Sequence, residues 1–256
     1  MNVVLAGSLA SLFAGAATGL GALPILIRRQ WSDRTRVLML AAAGGVMLGA
    51  TVFSLIVPAL ALVSEQSGSE LHAALLVSAG LLGGAFGIWG LHGVTPHAHF
   101  TKGHEGPNAP RLGKHTLFVL AITLHNLPEG MSVGVSYGAG AEAGFPTALG
   151  IALQNIPEGF AVAAAMQADG AGLARSFGVS LASGLVEPIG GVLGAFAVSL
   201  STAFLPWGLA IAAGAMLYVI SGEIIPETHE GGREQLATLS LVAGFVLMMV
   251  LDVVLS

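Results

Sequence analysis

The 256-residue chain has no cysteine, and only 9% of its residues are charged. Without cysteine there can be no disulfide, zinc–thiolate centre, haem-attachment motif or thiol catalysis. Ordinary globular domains carry about 25% Asp, Glu, Lys and Arg, so a soluble domain this poor in charge could not cover its own surface. Cytosolic, disordered and nucleic-acid-binding classes are therefore excluded, and no nucleic-acid partner is expected. Aromatic residues, at 6%, are too few for the two girdles of a large outer-membrane barrel. What is abundant is apolar: 54% hydrophobic residues, a mean hydropathy of +0.83 and 37 glycines. That glycine content is about twice the usual share near 7%, and it suits membrane helices whose backbones approach closely. The composition predicts an all-α polytopic membrane protein embedded in a lipid bilayer, with net charge -5.

A bilayer core about 30 Å thick needs about 20 apolar residues in helix. Eight stretches qualify: 3–27, 37–63, 71–94, 116–137, 145–166, 177–200, 205–225 and 236–255. Little remains for any soluble domain, so residues 1–256 read as a single transmembrane domain. No basic residue precedes Arg28, which argues against a cleaved signal peptide. All nine Lys and Arg fall in alternate loops: Arg28, Arg29, Arg34 and Arg36; Lys102, Arg111 and Lys114; Arg175; and Arg233. The intervening loops hold only the acids Glu65, Glu70 and Glu142, or no charge around Ser201. Under the positive-inside rule the basic loops are cytoplasmic and both termini lie outside, as expected for a protein of the cell (inner) membrane. The loop at 95–115 carries Pro96, His97, His99, His104 and His115, half of the protein's eight histidines. It reads either as a solvated linker or as a weak cytoplasmic metal trap.

The informative acids inside apolar segments are Glu129, Glu158, Glu187 and Glu223, with Glu227 near a helix end. Each ionised carboxylate at mid-bilayer costs about 2.5–3.5 kcal/mol on the insertion scale, so four cost roughly 10 kcal/mol. Every Lys and Arg is already assigned to a loop, so no ion pair offsets this. Protonation, internal water or a metal cation remain as compensation.

The neighbours of these acids narrow the choice. The fourth stretch reads His125-Asn126-Leu127-Pro128-Glu129-Gly130, and the fifth Gln154-Asn155-Ile156-Pro157-Glu158-Gly159. One six-residue pattern thus recurs in consecutive antiparallel helices. His125 shares a helix face with Glu129, and Gln154 with Glu158, because residues four apart are neighbours. Asn126 and Asn155 lie about 100° round the helix and could serve an adjoining position. Pro128 and Pro157 are expected to kink both helices, opening a polar gap and freeing the carbonyls of Leu124 and Leu153. Imidazole, carboxylates and amide oxygen converging there suit a divalent ion such as Zn²⁺. Without thiolate, discrimination among Zn²⁺, Fe²⁺, Mn²⁺ and Cd²⁺ should be poor. The sixth stretch adds Glu187-Pro188, with Glu187 as a further ligand or proton carrier, and the seventh adds Glu223, Glu227 and His229. Glu223 and Glu227, one turn apart near the cytoplasmic end, could receive the ion.

At these residues the chain resembles the ZIP family of divalent-metal transporters, in its short bacterial form. The doubled motif at 125–130 and 154–159 carries the resemblance. Weaker matches are Ala17-Thr18-Gly19-Leu20-Gly21, Gly45-Val46-Met47-Leu48-Gly49 and Pro96-His97. The resemblance implies eight helices in a 3+2+3 arrangement, with helices 1–3 and 6–8 as inverted repeats. It also implies metal influx, by an elevator-like slide of the metal-bearing helices, and it leaves room for a homodimer. Carried over, the primary site would be His125, Glu129, Gln154 and Glu158, with Asn126, Asn155 and Glu187 around a second site. The chain departs from the family at Asn155, where other members carry Asp, and at His92, where acids are common.

The metal is cargo in this reading, and neither catalytic residues nor a catalytic cofactor are expected. An intramembrane metalloprotease needs H-E-x-x-H in a helix. Here His104-Glu105 is followed by Asn108 and His229-Glu230 by Arg233, outside the apolar stretches. A proton-coupled exporter or a proton channel stays open as the alternative, since buried carboxylates and His also relay protons.

Overall fold

The computed structural model describes residues 2–27, 31–95, 97–99, 103–105, 114–168, 170–229 and 232–255. Among them are eight membrane-length helices. These are α1 (Val3–Ile27), α2 (Arg34–Ser67), α3 (Glu70–Val94), α4 (Lys114–Ser136), α5 (Ala141–Ala168), α6 (Leu173–Leu200), α7 (Phe204–Thr228) and α8 (Glu234–Leu255). Seven are long and apolar enough to cross a membrane. The other, α4, has 23 residues and is the helix that carries His125, Asn126 and Glu129. This is an all-helical, multi-pass membrane protein.

Two short strands are described between α3 and α4. Strands β1 (His97–His99) and β2 (Gly103–Glu105) pair antiparallel, with His97 opposite Glu105. His115 belongs to the first turn of α4 rather than to that loop. Arg28, Arg29, Pro96, Lys102 and Arg111 lie outside the described residues.

The helix pairing has an internal symmetry. The most extensive contacts are α4 with α6, α2 with α8, α1 with α6, α1 with α5, and α3 with α7. Exchanging helix 1 with 6, 2 with 7, 3 with 8 and 4 with 5 maps this set onto itself. The same exchange turns the α2–α5 packing into α7–α4, and α1–α4 into α6–α5; both members of each pair are present. Since α6 starts five crossings after α1, it starts on the opposite face, so the repeats are inverted.

Glycine makes these interfaces close. A methyl group on Gly45 would strike the Leu241 carbonyl oxygen, and one on Gly244 the Ala42 oxygen, across α2–α8. The symmetry-related α3–α7 seam repeats this with Gly84 against Ile211 and Gly214 against Leu81. The last residue of each six-residue motif plays the same part: Gly130 abuts the Glu187 carbonyl, and Gly159 the Thr18 carbonyl. Without a hydrophobic drive between helices in lipid, such backbone proximity is a main source of association.

Four helices are irregular, and the first of them, α1, is interrupted between Val3–Gly21 and Pro24–Ile27. Helix α2 widens to a π-turn over Thr51–Ile56 and α7 over Ile220–Ile224. In each, the residue before a proline donates five residues back: Val57 to Val52 and Ile225 to Ile220. Pro58 and Pro226 have no N–H, and their rings press on the preceding turn, which one extra residue relieves. Helix α6 breaks between its halves, Leu173–Gly184 and Glu187–Leu200, so Glu187 opens the second half. The expected gap at Pro128 and Pro157 is not formed by a break: α4 and α5 run as continuous α-helix through both prolines.

Candidate metal centre

The two motif copies face each other across the α4–α5 contact. Asn126, Glu129, Gln154 and Asn155 have no solvent exposure, and His125 and Glu158 are buried beside them. The α6 break brings in Glu187, also wholly buried. Gln154 lies against the Glu129 carboxyl, while Glu129, Glu158 and Glu187 are close enough for their charges to repel. Among the described residues no Lys or Arg is buried, so the basic side chain nearest these acids in the interior is the imidazole of His125.

Most of the polar atoms are uncommitted. Both oxygens of Glu129, both amide atoms of Gln154 and of Asn126, and one oxygen each of Glu158 and Glu187 lack a hydrogen-bond partner among the described residues. A buried unsatisfied polar atom costs about 1–3 kcal/mol, and more if charged. Concentrated in one spot, such atoms mark a place built for a ligand rather than for packing. Carboxylate, imidazole and amide oxygen form a donor set that fits a divalent cation.

Asn155 is arranged differently. Its Nδ2 donates to the Ala14 carbonyl at 2.7 Å and to Glu187 Oε1 at 2.5 Å, joining α5 to α1 and α6. Only its Oδ1 remains without a partner among the described residues.

A second cluster adjoins the first. The π-turn of α7 turns Glu223 inward, where its Oε2 lies 2.7 Å from His125 Nε2 and its Oε1 lies 3.2 Å from His92 Nε2. All three residues are buried, and one ligand atom from each lies within 4.8 Å of the others. His92 is steadied by an edge-on Tyr218 ring with centroids 5.5 Å apart. Glu227 lines a small cleft with His125 and Glu223, whose free space of about 10 Å³ admits roughly one water-sized particle. His229 stands apart, its ring bonded to Thr228, Thr238 and the Ile225 carbonyl.

A profile described as ZIP zinc transporter matches residues 97–252. The zinc transporter GufA of Myxococcus xanthus is 51% identical over 250 residues, which is 96% of this chain and 98% of that protein. The zinc transporter ZIPB of Bordetella bronchiseptica is 48% identical over 245 residues, 94% of this chain and 78% of that one. A zinc transporter ZupT from Chlorobium phaeovibrioides is 32% identical over 262 residues, 97% of each. The chain belongs to the ZIP zinc-transporter family.

Two polar residues of this ZIP protein acquire partners that its sequence did not announce. His92 stands out in sequence only as a departure from the family, yet it meets Glu223 from the far end of α3. Asp252 is an acid within the last apolar stretch, and its Oδ1 accepts from Ser54 Oγ at 2.5 Å. The available signal was the one used for the other acids, an ionisable side chain inside an apolar run. In this ZIP protein the two π-turns do matching work: one aims Glu223 of α7 at α3 and α4, the other Ser54 of α2 at α8.

Proposed function

We propose that the protein imports divalent metal ions, Zn²⁺ first among them and Fe²⁺, Mn²⁺ and Cd²⁺ less selectively, through the cell (inner) membrane into the cytoplasm. The observation that carries this reading is a buried constellation of unpartnered carboxylate and amide atoms on α4 and α5, with no Lys or Arg buried among the described residues. His125, Glu129, Gln154 and Glu158 form the primary ion seat. Their negative charge is uncompensated without a dication, and the absence of thiolate keeps retention weak enough for release. The relatives GufA and ZIPB are named zinc transporters, which supports Zn²⁺ as cargo.

His125 is the hand-over residue. Its Nε2 is on Glu223, its Nδ1 has no partner among the described residues, and its ring feels the Glu129 charge. An ion leaving Glu129 can therefore pass by way of His125 to Glu223 and His92, whose ligand atoms stand within 4.8 Å of one another. The distribution of basic residues supports placing this second station on the cytoplasmic side, with both termini outside.

Zn²⁺ uptake into proteoliposomes tests the assignment. His125→Ala and Glu158→Ala should each lower uptake by at least roughly 100-fold, since even outer-shell changes cost 10–100-fold. Insertion and monodispersity should be retained. Unchanged zinc accumulation in both variants refutes the site, and Zn²⁺ efflux against an inward gradient refutes the direction.

A further inference from the structure

The Asn155 amide has its orientation fixed by chemistry rather than by choice of atom labels. Ala14 offers a backbone carbonyl, which only accepts, so the side-chain atom 2.7 Å away must be the NH₂ group. The second N–H of that group is then the one on Glu187 Oε1, at 2.5 Å. An amide nitrogen carries no lone pair for a cation. Turning the amide over would break both hydrogen bonds and set its oxygen against the Ala14 oxygen.

Backbone packing removes the room for rearrangement. A methyl on Gly15 would meet the Gly184 carbonyl and the Cβ of Glu187, and one on Gly130 the Glu187 carbonyl. Glu187 is thus gripped by α1 and α4 while α5 donates to its carboxylate. While the NH₂ group holds Glu187 Oε1, the Asn155 atom facing that carboxylate oxygen is a donor and not a cation ligand.

We propose that Asn155 is a positioning residue whose NH₂ group holds Glu187 where a second cation would otherwise sit, so that this chain carries one divalent ion at a time through the α4–α5 seat. The proposal rests on the reading of that seat given above. It predicts hyperbolic rather than cooperative dependence of uptake on metal concentration. It also predicts that an acid at position 155 creates a second ion position, because two adjacent carboxylates repel and a dication between them answers both charges where a shared proton answers only one.

Cd²⁺ bound per full-length chain in nanodiscs, measured by equilibrium dialysis and elemental analysis, tests this. Four proteins are compared: wild type, Glu187→Gln, Asn155→Asp and the double variant. Differences between them cancel any ions held elsewhere on the chain. Expected are equal numbers for wild type and Glu187→Gln, one more ion for Asn155→Asp, and loss of that ion in the double variant. Loss of one ion on Glu187→Gln alone overturns the proposal, as does Asn155→Asp gaining none. Should Asn155→Asp fail to fold, the wild-type and Glu187→Gln pair still decides. Glu158→Ala in the same assay reports separately on the primary seat: no loss of an ion there defeats the seat itself, whatever Asn155 does.

Discussion

His92 shows how far a single side chain depends on its surroundings for meaning. In sequence it is one imidazole in an apolar helix, most simply a packing residue. In the folded protein it stands 3.2 Å from a carboxylate that also binds His125 at 2.7 Å. Neutral imidazole is a common metal ligand, and the His92 ring packs against Tyr218. His92→Ala should therefore slow Zn²⁺ uptake about ten-fold, the size of effect typical of supporting ligands, while the number of ions held by the α4–α5 seat stays the same. A stopped-flow measurement with a zinc-sensitive dye inside the vesicles reads the rate; full speed would remove His92 from the path. The acids of the doubled motif needed no such context, because burying a carboxylate in lipid is costly wherever it points.

At the level of helices, the six-residue motif announced its buried polar residues but not the part played by its last residue. Gly130 and Gly159 are where α4 and α5 touch the backbones of α6 and α1, and any side chain there overlaps a carbonyl oxygen. Gly130→Ala or Gly159→Ala should destabilise the protein by about 1–3 kcal/mol, the usual cost of overpacking. Gly87 on α3 has open space where a Cβ would go. Gly87→Ala should be neutral or stabilising by up to about 1 kcal/mol, since alanine is the better helix former. Thermal denaturation in detergent, followed by size-exclusion fluorescence, separates the two classes; equal shifts would contradict the packing described. The prolines carry a related lesson. Pro58 and Pro226 widen their helices into π-turns and so aim Ser54 and Glu223, whereas Pro128 and Pro157 leave α4 and α5 continuous. Sequence identifies a proline but not which response the neighbouring helices permit.

Across the whole molecule, the pairing symmetry between α1–α3 and α6–α8 sets the two polar cross-links, Ser54–Asp252 and His92–Glu223, in equivalent places of inverted halves. Orientation in the membrane is a property of the entire chain, and the cysteine-free sequence makes it easy to measure. Gln66→Cys and Thr202→Cys, both at exposed positions, should react with an impermeant maleimide in intact cells. Ala174→Cys, also exposed, should react only after permeabilisation. The reverse labelling pattern would invert the topology and with it the direction assigned to transport.

Length and apolarity of the segments determined the helix count, and the misplaced acids pointed to where chemistry would lie. Both are local consequences of what a bilayer tolerates: about 20 apolar residues per crossing and no unanswered charge. Only tertiary packing decided that Glu223 and His92 meet His125, that Asn155 donates to Glu187, and that α6 breaks just before that acid. Those facts depend on which helix faces lie together, on glycine-sized gaps between backbones and on a π-turn's extra residue. They link positions up to 131 residues apart (His92 to Glu223), beyond the reach of any helical period.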